Sequence, residues 1–257
     1  MILAMFSCSS NGDNGEAVTH TMENGVCTEC GGVESSDGLL FSENSDGTYT
    51  LMGIGSCTDK DIVVDIYNNK SVTALRDYAF SDNYYNIESI TLGNNVTTIG
   101  DYAFYKCSAL KNINIPNSVT SVGPSAFQGC KNLVSITIPD SVTFIGDRVF
   151  SECSSLESIA IGNGYKNIAE GIFINCTSLT SITIPEGASE IGAHAFSGCS
   201  NLRSITIPSS VTAIFQDLNN CTNLTDIYYT GTAEEWEKIK YDYNNLTNAT
   251  IHYNYTE

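Results

Sequence analysis

Ten cysteines and three histidines carry the strongest ligating and nucleophilic chemistry in this 257-residue chain, and their spacing sorts them into sets. In THTMENGVCTECGG, His20 precedes Cys27 and Cys30. A C-x-x-C pair at a tight turn presents two thiolates to one side of a zinc ion, with His20 as a further ligand. The pair is half of such a site, and a fourth ligand would come from Cys8, Cys57 or a partner. A redox dithiol or two idle thiols are the alternatives. Zinc at this pair is the only cofactor the sequence suggests.

Catalytic chemistry is harder to find. His194, in IGAHAF, fills a slot that Tyr102, Ser125, Arg148 and Ile172 fill in sister segments, a tolerance that a catalytic base would not show. His252 stands in an unrelated context. No G-x-S-x-G, phosphate-binding loop or H-E-x-x-H occurs. The carboxylates are scattered over variable slots and read as a solvated acidic face. No catalytic residue is expected, and an enzyme is the least favoured class.

Six of the cysteines follow a different rule. Cys107, Cys130, Cys153, Cys176 and Cys199 recur every 23 residues, as do Phe104, Phe127, Phe150, Phe173 and Phe196, and Cys221 closes the series. A fixed period of this length marks a solenoid, whose single coils cannot bury their apolar faces alone. Stacked coils place equivalent side chains in one column, so these six read as buried reduced thiols set by register. Within a coil, L-x-x-I-x-I alternates with period two and predicts a strand with its isoleucines inward. Pro116, Pro139, Pro185 and Pro208 end it, because proline has no N–H for the next ladder bond. S-V-T-x-I-G predicts a second short strand, with its glycine allowing the turn. A-F-x-x-C is too short for a helix and is expected to form one helical or 3₁₀ turn that drives Phe inward.

Composition narrows the partners. With 11 basic and 29 acidic residues the formal charge is −18, a field that repels phosphate backbones and anionic lipid. Nucleic acid is excluded as a partner, and no stretch approaches eighteen consecutive apolar residues, so a membrane enters only through a lipid anchor. MILAMFSCSS resembles the end of a bacterial lipoprotein signal, with Cys8 as the lipid-bearing residue. A chance apolar start is the other reading.

Four regions follow. Residues 1–35 form a flexible N-terminal region holding the lipoprotein-like start and the C-x-x-C knuckle. Residues 36–86 hold a hairpin about Ser45, Asp46 and Gly47, then an irregular capping coil with one residue inserted around Tyr84 and Tyr85. Residues 87–224 are the solenoid of 23-residue units. Residues 225–257 form a C-terminal cap, where Thr232 and Glu235 are spaced as a capping box at the start of TAEEWEKIK. The aromatic residues there read as cap core.

The phrase S-I-T-I-P-x-S-V-T-x-I-G-x-x-A-F-x-x-C, carried over about residues 62–230, resembles the BspA-type, or Treponema-type, leucine-rich repeat. Y-x-G-T-A-E-E-W-x-K-I with NATIHY is similar to the closing segment of such proteins from gut bacteria. The resemblance implies a β-rich α/β repeat solenoid: a right-handed superhelix with a parallel concave sheet, an N-terminal hairpin and a C-terminal helical cap. It also implies a bacterial cell-surface or secreted protein. Some members are adhesins that bind host matrix or coaggregate with other cells.

The outward positions of the predicted concave sheet are Ser89, Thr91, Asn112, Asn114, Ser135, Thr137, Ser158, Ala160, Ser181, Thr183, Ser204, Thr206, Asp226 and Tyr228. This row of hydroxyls and amides reads as solvated sheet made of good strand formers. The sharper alternative is an extended contact face whose short side chains lose little entropy on binding. The expected partners are host matrix or cell-surface proteins, with glycans as the alternative. A third reading makes the solenoid a passive spacer for the metal-binding knuckle.

Overall fold

The computed structural model describes residues 35–81, 87–215, 218, 221–241 and 249–256, together with the backbone of three N-terminal strands. Those strands, β1 (Ser7–Asn11), β2 (Ala17–Glu23) and β3 (Val26–Cys27), pair antiparallel in sequence order. The register sets Cys8 opposite His20 and Met22 opposite Cys27. Cys30, Tyr84 and Tyr85 lie outside the described residues.

The hairpin is β4 (Leu40–Glu43) and β5 (Tyr49–Gly53). Gly47 turns it with φ +81°, and Asp46 Oδ1 accepts the Thr48 amide at 2.9 Å. Next come β6 (Asp61–Val64), β7 (Ile66–Tyr67) and β8 (Lys70–Leu75). Because β5 pairs parallel with β8, the hairpin covers the edge that the first coil would otherwise expose.

Each repeat then adds an inner and an outer strand. The pairs are β9 (Ser89–Leu92) and β10 (Thr98–Ile99), β11 (Asn112–Ile113) and β12 (Ser121–Val122), and β13 (Ser135–Ile138) and β14 (Phe144–Ile145). They continue with β15 (Ser158–Ile161) and β16 (Asn167–Ile168), β17 (Ser181–Thr183) and β18 (Glu190–Ile191), and β19 (Ser204–Ile207) and β20 (Ala213–Ile214). The chain closes with β21 (Asp226–Tyr229), α1 (Ala233–Trp236), β22 (Lys240–Tyr241) and β23 (Thr250–His252). Like pairs with like, parallel and in register: Ser135 meets Ser158 and Ile136 meets Ile159. The inner ladder runs in three blocks, β6-β9-β11, β13-β15 and β17-β19-β21-β23.

The period-two strands turn Ile136 and Ile138 inward and leave Ser135 and Thr137 exposed. Where proline follows the strand its carbonyl accepts from the residue three on, as Pro139 does from Val142 at 3.1 Å, so proline opens a β-turn, and Gly93 and Gly162 take its place in two coils. Phe80, Phe104, Phe127, Phe150, Phe173 and Phe196 are buried and stack face to face at 4.9–5.8 Å. Beside them each column cysteine donates its thiol to the phenylalanine carbonyl of the preceding coil, at 3.1–3.3 Å from Cys107 through Cys221.

Three local expectations change. A-F-x-x-C forms a train of turns in place of a helical or 3₁₀ turn. Ala103, Tyr105 and Cys107 bond back three residues, while Tyr102, Phe104 and Lys106 donate sideways to Pro124, Ala126 and Gln128. Every second amide thus stitches one coil to the next, and the train needs positive φ at Tyr102, Ser125, Arg148, Gly171 and His194. Gly171, not Ile172, is therefore the counterpart of His194. The glycine ending the outer strand serves close approach and not turning: a Cβ on Gly146 would lie 2.4 Å from the Pro124 nitrogen. Finally, α1 is a single turn. Its capping box is formed, with Glu235 N to Thr232 Oγ1 at 3.2 Å and Thr232 N to Glu235 Oε2 at 2.8 Å.

Candidate functional site: the hydroxyl face

The inner strands carry the sequence-predicted row onto one surface, at the ~4.8 Å spacing of a parallel ladder. Thr91, Asn112, Asn114, Ser135, Thr137, Ser158, Ala160, Ser181 and Thr183 are exposed, while Ser89, Ser204, Thr206, Asp226 and Tyr228 are half-buried. The register aligns Thr183, Thr206, Tyr228 and His252 across four neighbouring strands. Three shallow hollows run along this surface, of about 590, 590 and 740 Å³. The first spans the gap between Asn112 and Ser135 and the last the gap between Ser158 and Ser181, so the surface continues where the ladder does not.

The row is less uniform than its sequence. Ser89 hydrogen-bonds the Asp61 carboxylate. Asn114 turns its amide onto the neighbouring coil, accepting from Leu92 N at 2.8 Å and donating to Leu92 O at 3.0 Å, which replaces a ladder pair and ends β11 early. The hydroxyls of Ser135, Thr137, Ser158, Ser181 and Thr183 are the exposed part of the row whose partners in the strand register carry no charge.

At the C-terminal end the aromatic residues divide. Tyr229 and Trp236 are buried and meet edge to face at 5.1 Å, as cap core. Tyr228 instead stacks on His252 at 4.8 Å and meets Tyr255 at 4.6 Å on the outer face. His252 Nε2 lies 2.7 Å from Asp226 Oδ1, and this bond, followed by that from Thr225, holds the Asp226 carboxyl below its ordinary range. Sequence reasoning missed His252 and Tyr255, whose one available signal was the alternation in ATIHYNY.

The cysteines offer no open chemistry in the column. Cys57, Cys107, Cys130, Cys153, Cys176, Cys199 and Cys221 are buried and unbridged. Burial pushes the Cys153 thiol up to about 12 and those of Cys130 and Cys176 well above the ordinary 9.0. Among the described residues no group of three or more His, Cys, Asp or Glu side chains is arranged to hold a metal. The side chains of Cys8, His20 and Cys27, with all of Cys30, fall outside the described part. No described helix is long and apolar enough to cross a membrane.

The family model for the BspA type leucine rich repeat region, in six copies, matches residues 58–157 and 143–257. The chain belongs to the BspA-type leucine-rich repeat family. Among solved structures, the leucine rich repeat protein of T. pallidum shares the fold of this BspA-type chain at 18% identity and a TM-score of 0.53, covering 83% of this chain and 97% of that one. A leucine-rich repeat protein from Bacteroides ovatus aligns at 25% identity and TM-score 0.49, covering 84% and 70% of the two chains. A leucine rich cell surface protein from Faecalibacterium prausnitzii aligns at 20% and 0.44, covering 81% and 97%. No curated protein matches the chain.

Membership in the BspA-type family explains the core completely and leaves the outward row open. The inward isoleucines, phenylalanine and cysteine account for the fold, and the fold by itself names no partner for the row or for the C-terminal aromatic group.

Proposed function

We propose that this chain is a non-enzymatic binding module, displayed on or secreted from a bacterial cell, that contacts host or neighbouring-cell proteins through its hydroxyl face. The observation that carries this reading is the exposed file Ser135, Thr137, Ser158, Ser181 and Thr183, an uncharged strip in a chain of formal charge −18. Such a strip costs less desolvation to cover than a charged one, and its short side chains lose little rotamer freedom. The rigid stack beneath it keeps the face in one shape before contact, which lowers the ordering cost of binding. The surface residence implied by the family supports the cellular setting.

The test is a binding array of matrix proteins and mucins, probed with the native chain and with a variant carrying S135K, T137K, S181K and T183K. The variant is expected to lose the contacts that the native chain makes. Equal binding by both chains would move the contact to another surface.

A further inference from the structure

The last of the three hollows differs from the others in having an aromatic wall. Its floor is laid by Ser181, Thr183 and Thr206, and Tyr255 lines it from the segment that follows β23. The other two are lined by aliphatic and polar residues alone. At about 740 Å³ it falls in the size range of small-ligand sites, roughly 300–1,000 Å³.

The wall is built in. Tyr255 N donates to Tyr229 O at 3.1 Å and Asn254 N to Gly231 O at 2.8 Å, which ties the closing segment along the end of β21. The Tyr255 ring meets Tyr228, Tyr228 stacks on His252, and His252 is bonded to Asp226. A ring anchored through three successive contacts is held before any ligand arrives.

The lining chemistry selects the ligand. Serine and threonine hydroxyls both donate and accept, so the floor suits groups that also do both. Asn163 adds an amide and Glu186 a carboxylate, and no lysine or arginine is among the described residues lining the hollow. Anionic ligands meet a carboxylate and a strongly negative chain, with the Lys166 ammonium engaged by Glu186 O at 3.1 Å and outside the described lining. An aromatic face, negative over its ring, takes the weakly positive C–H face of a saturated ring. A pyranose joins these features in one molecule, with a C–H face for Tyr255 and equatorial hydroxyls for the floor.

We propose that the hollow between Tyr255 and the Ser181, Thr183 and Thr206 floor is a binding site for an uncharged glycan segment of a few hexose units. The site needs only this hollow; its floor shares Ser181 and Thr183 with the face proposed for protein contact, and Tyr255 belongs to the hollow alone.

The probes are neutral tri- and tetrasaccharides of glucose, galactose and N-acetylglucosamine, with sialylated and sulfated counterparts as the anionic arm. They are titrated by NMR into the full chain and into its Tyr255→Ala, Tyr255→Phe and Thr206→Lys variants, with circular dichroism reporting the fold. At least one neutral sugar is expected to bind, with Tyr255→Phe retaining it. Tyr255→Ala and Thr206→Lys are expected to weaken it by at least about tenfold. Absence of neutral-sugar binding, preference for the anionic arm, or undiminished binding by both weakening variants would overturn the proposal. If Tyr255→Ala unfolds, Thr206→Lys decides alone. Matrix-protein binding that survives in Tyr255→Ala leaves the protein-contact reading standing whatever the sugars do.

Discussion

The amide of Ala169 donates to the hydroxyl of Tyr165, at 2.7 Å, where other coils bond backbone to backbone. In those coils the residue ending the outer strand reaches the preceding coil directly, as Gly146 N does Val122 O at 2.9 Å. Here Ala169 replaces the glycine that close approach requires, and Tyr165 replaces the valine four residues before it. The Tyr165 hydroxyl passes the bond on to Ile145 O at 3.4 Å, and the outer sheet divides between β14 and β16. One phenol bridges the two coils where the direct backbone bond is replaced.

Tyr165→Phe is therefore expected to destabilise the chain by about 1–3 kcal/mol, because it leaves the Ala169 N–H and Ile145 C=O without their bridge. Urea denaturation of the two proteins measures this. A change near zero would show that water or backbone closure replaces the hydroxyl.

Phe150 is fully buried between Phe127 at 5.6 Å and Phe173 at 5.8 Å. Truncation to alanine opens a cavity flanked by two rigid rings, and the expected cost is about 3–5 kcal/mol. A loss below about 1 kcal/mol in the same denaturation series would place the ring outside the core.

The repeating part of this fold was legible because its forces act locally in sequence. The alternation of Ile136 and Ile138, the stop at Pro139 and the interval between Phe127 and Phe150 each follow from one coil's own pattern. What escaped depended on the neighbouring coil. The turn train takes half its bonds from residues 22 positions away, as Phe104 N does from Ala126 O, and no short motif encodes that. Asn114 looks like any outward amide until Leu92 is set beside it. The cluster of Asp226, Tyr228, His252 and Tyr255 joins segments beyond the regular repeat, where the period gives no register. The outward row was visible as a row; the bonds that Ser89 and Asn114 make within it were not.

The thiol column gives stability a dependence on alkaline pH. Folding raises Cys153 from 9.0 to about 12, so the folded chain keeps a proton that the unfolded chain releases. Its contribution is complete below about pH 9 and is lost as pH rises from 9 toward 12. Iodoacetamide at pH 9 is expected to label Cys153 slowly in the native protein and quickly in denaturant, read by mass spectrometry. Equal rates would show an open column.

At the other end of the scale, the Asp226 carboxyl lies below its ordinary 3.8, chiefly through its bond to His252. A depressed carboxylate stabilises above its unfolded value, and that contribution is lost as pH falls through the lower folded value. Protection of the β23 amides, taken relative to their intrinsic exchange rate at each pH, is expected to fall on acidification below about pH 4, and Asp226→Asn to flatten that dependence. An unchanged profile in the variant would assign the loosening to other carboxylates.

The central claim is that successive coils lie in register, so that the outward positions fall in one row. Thr137 and Ala160 are exposed partners on neighbouring strands, at the ~4.8 Å spacing that a disulfide spans, whereas Thr137 and Thr183 are two coils apart, about twice that distance. Oxidation of the T137C/A160C protein, followed by peptide mapping, is predicted to give a 137–160 bridge. The T137C/T183C protein is predicted to give none. A bridge only in the second protein, or in neither while both introduced thiols react freely with alkylating reagent, would contradict the stacked register.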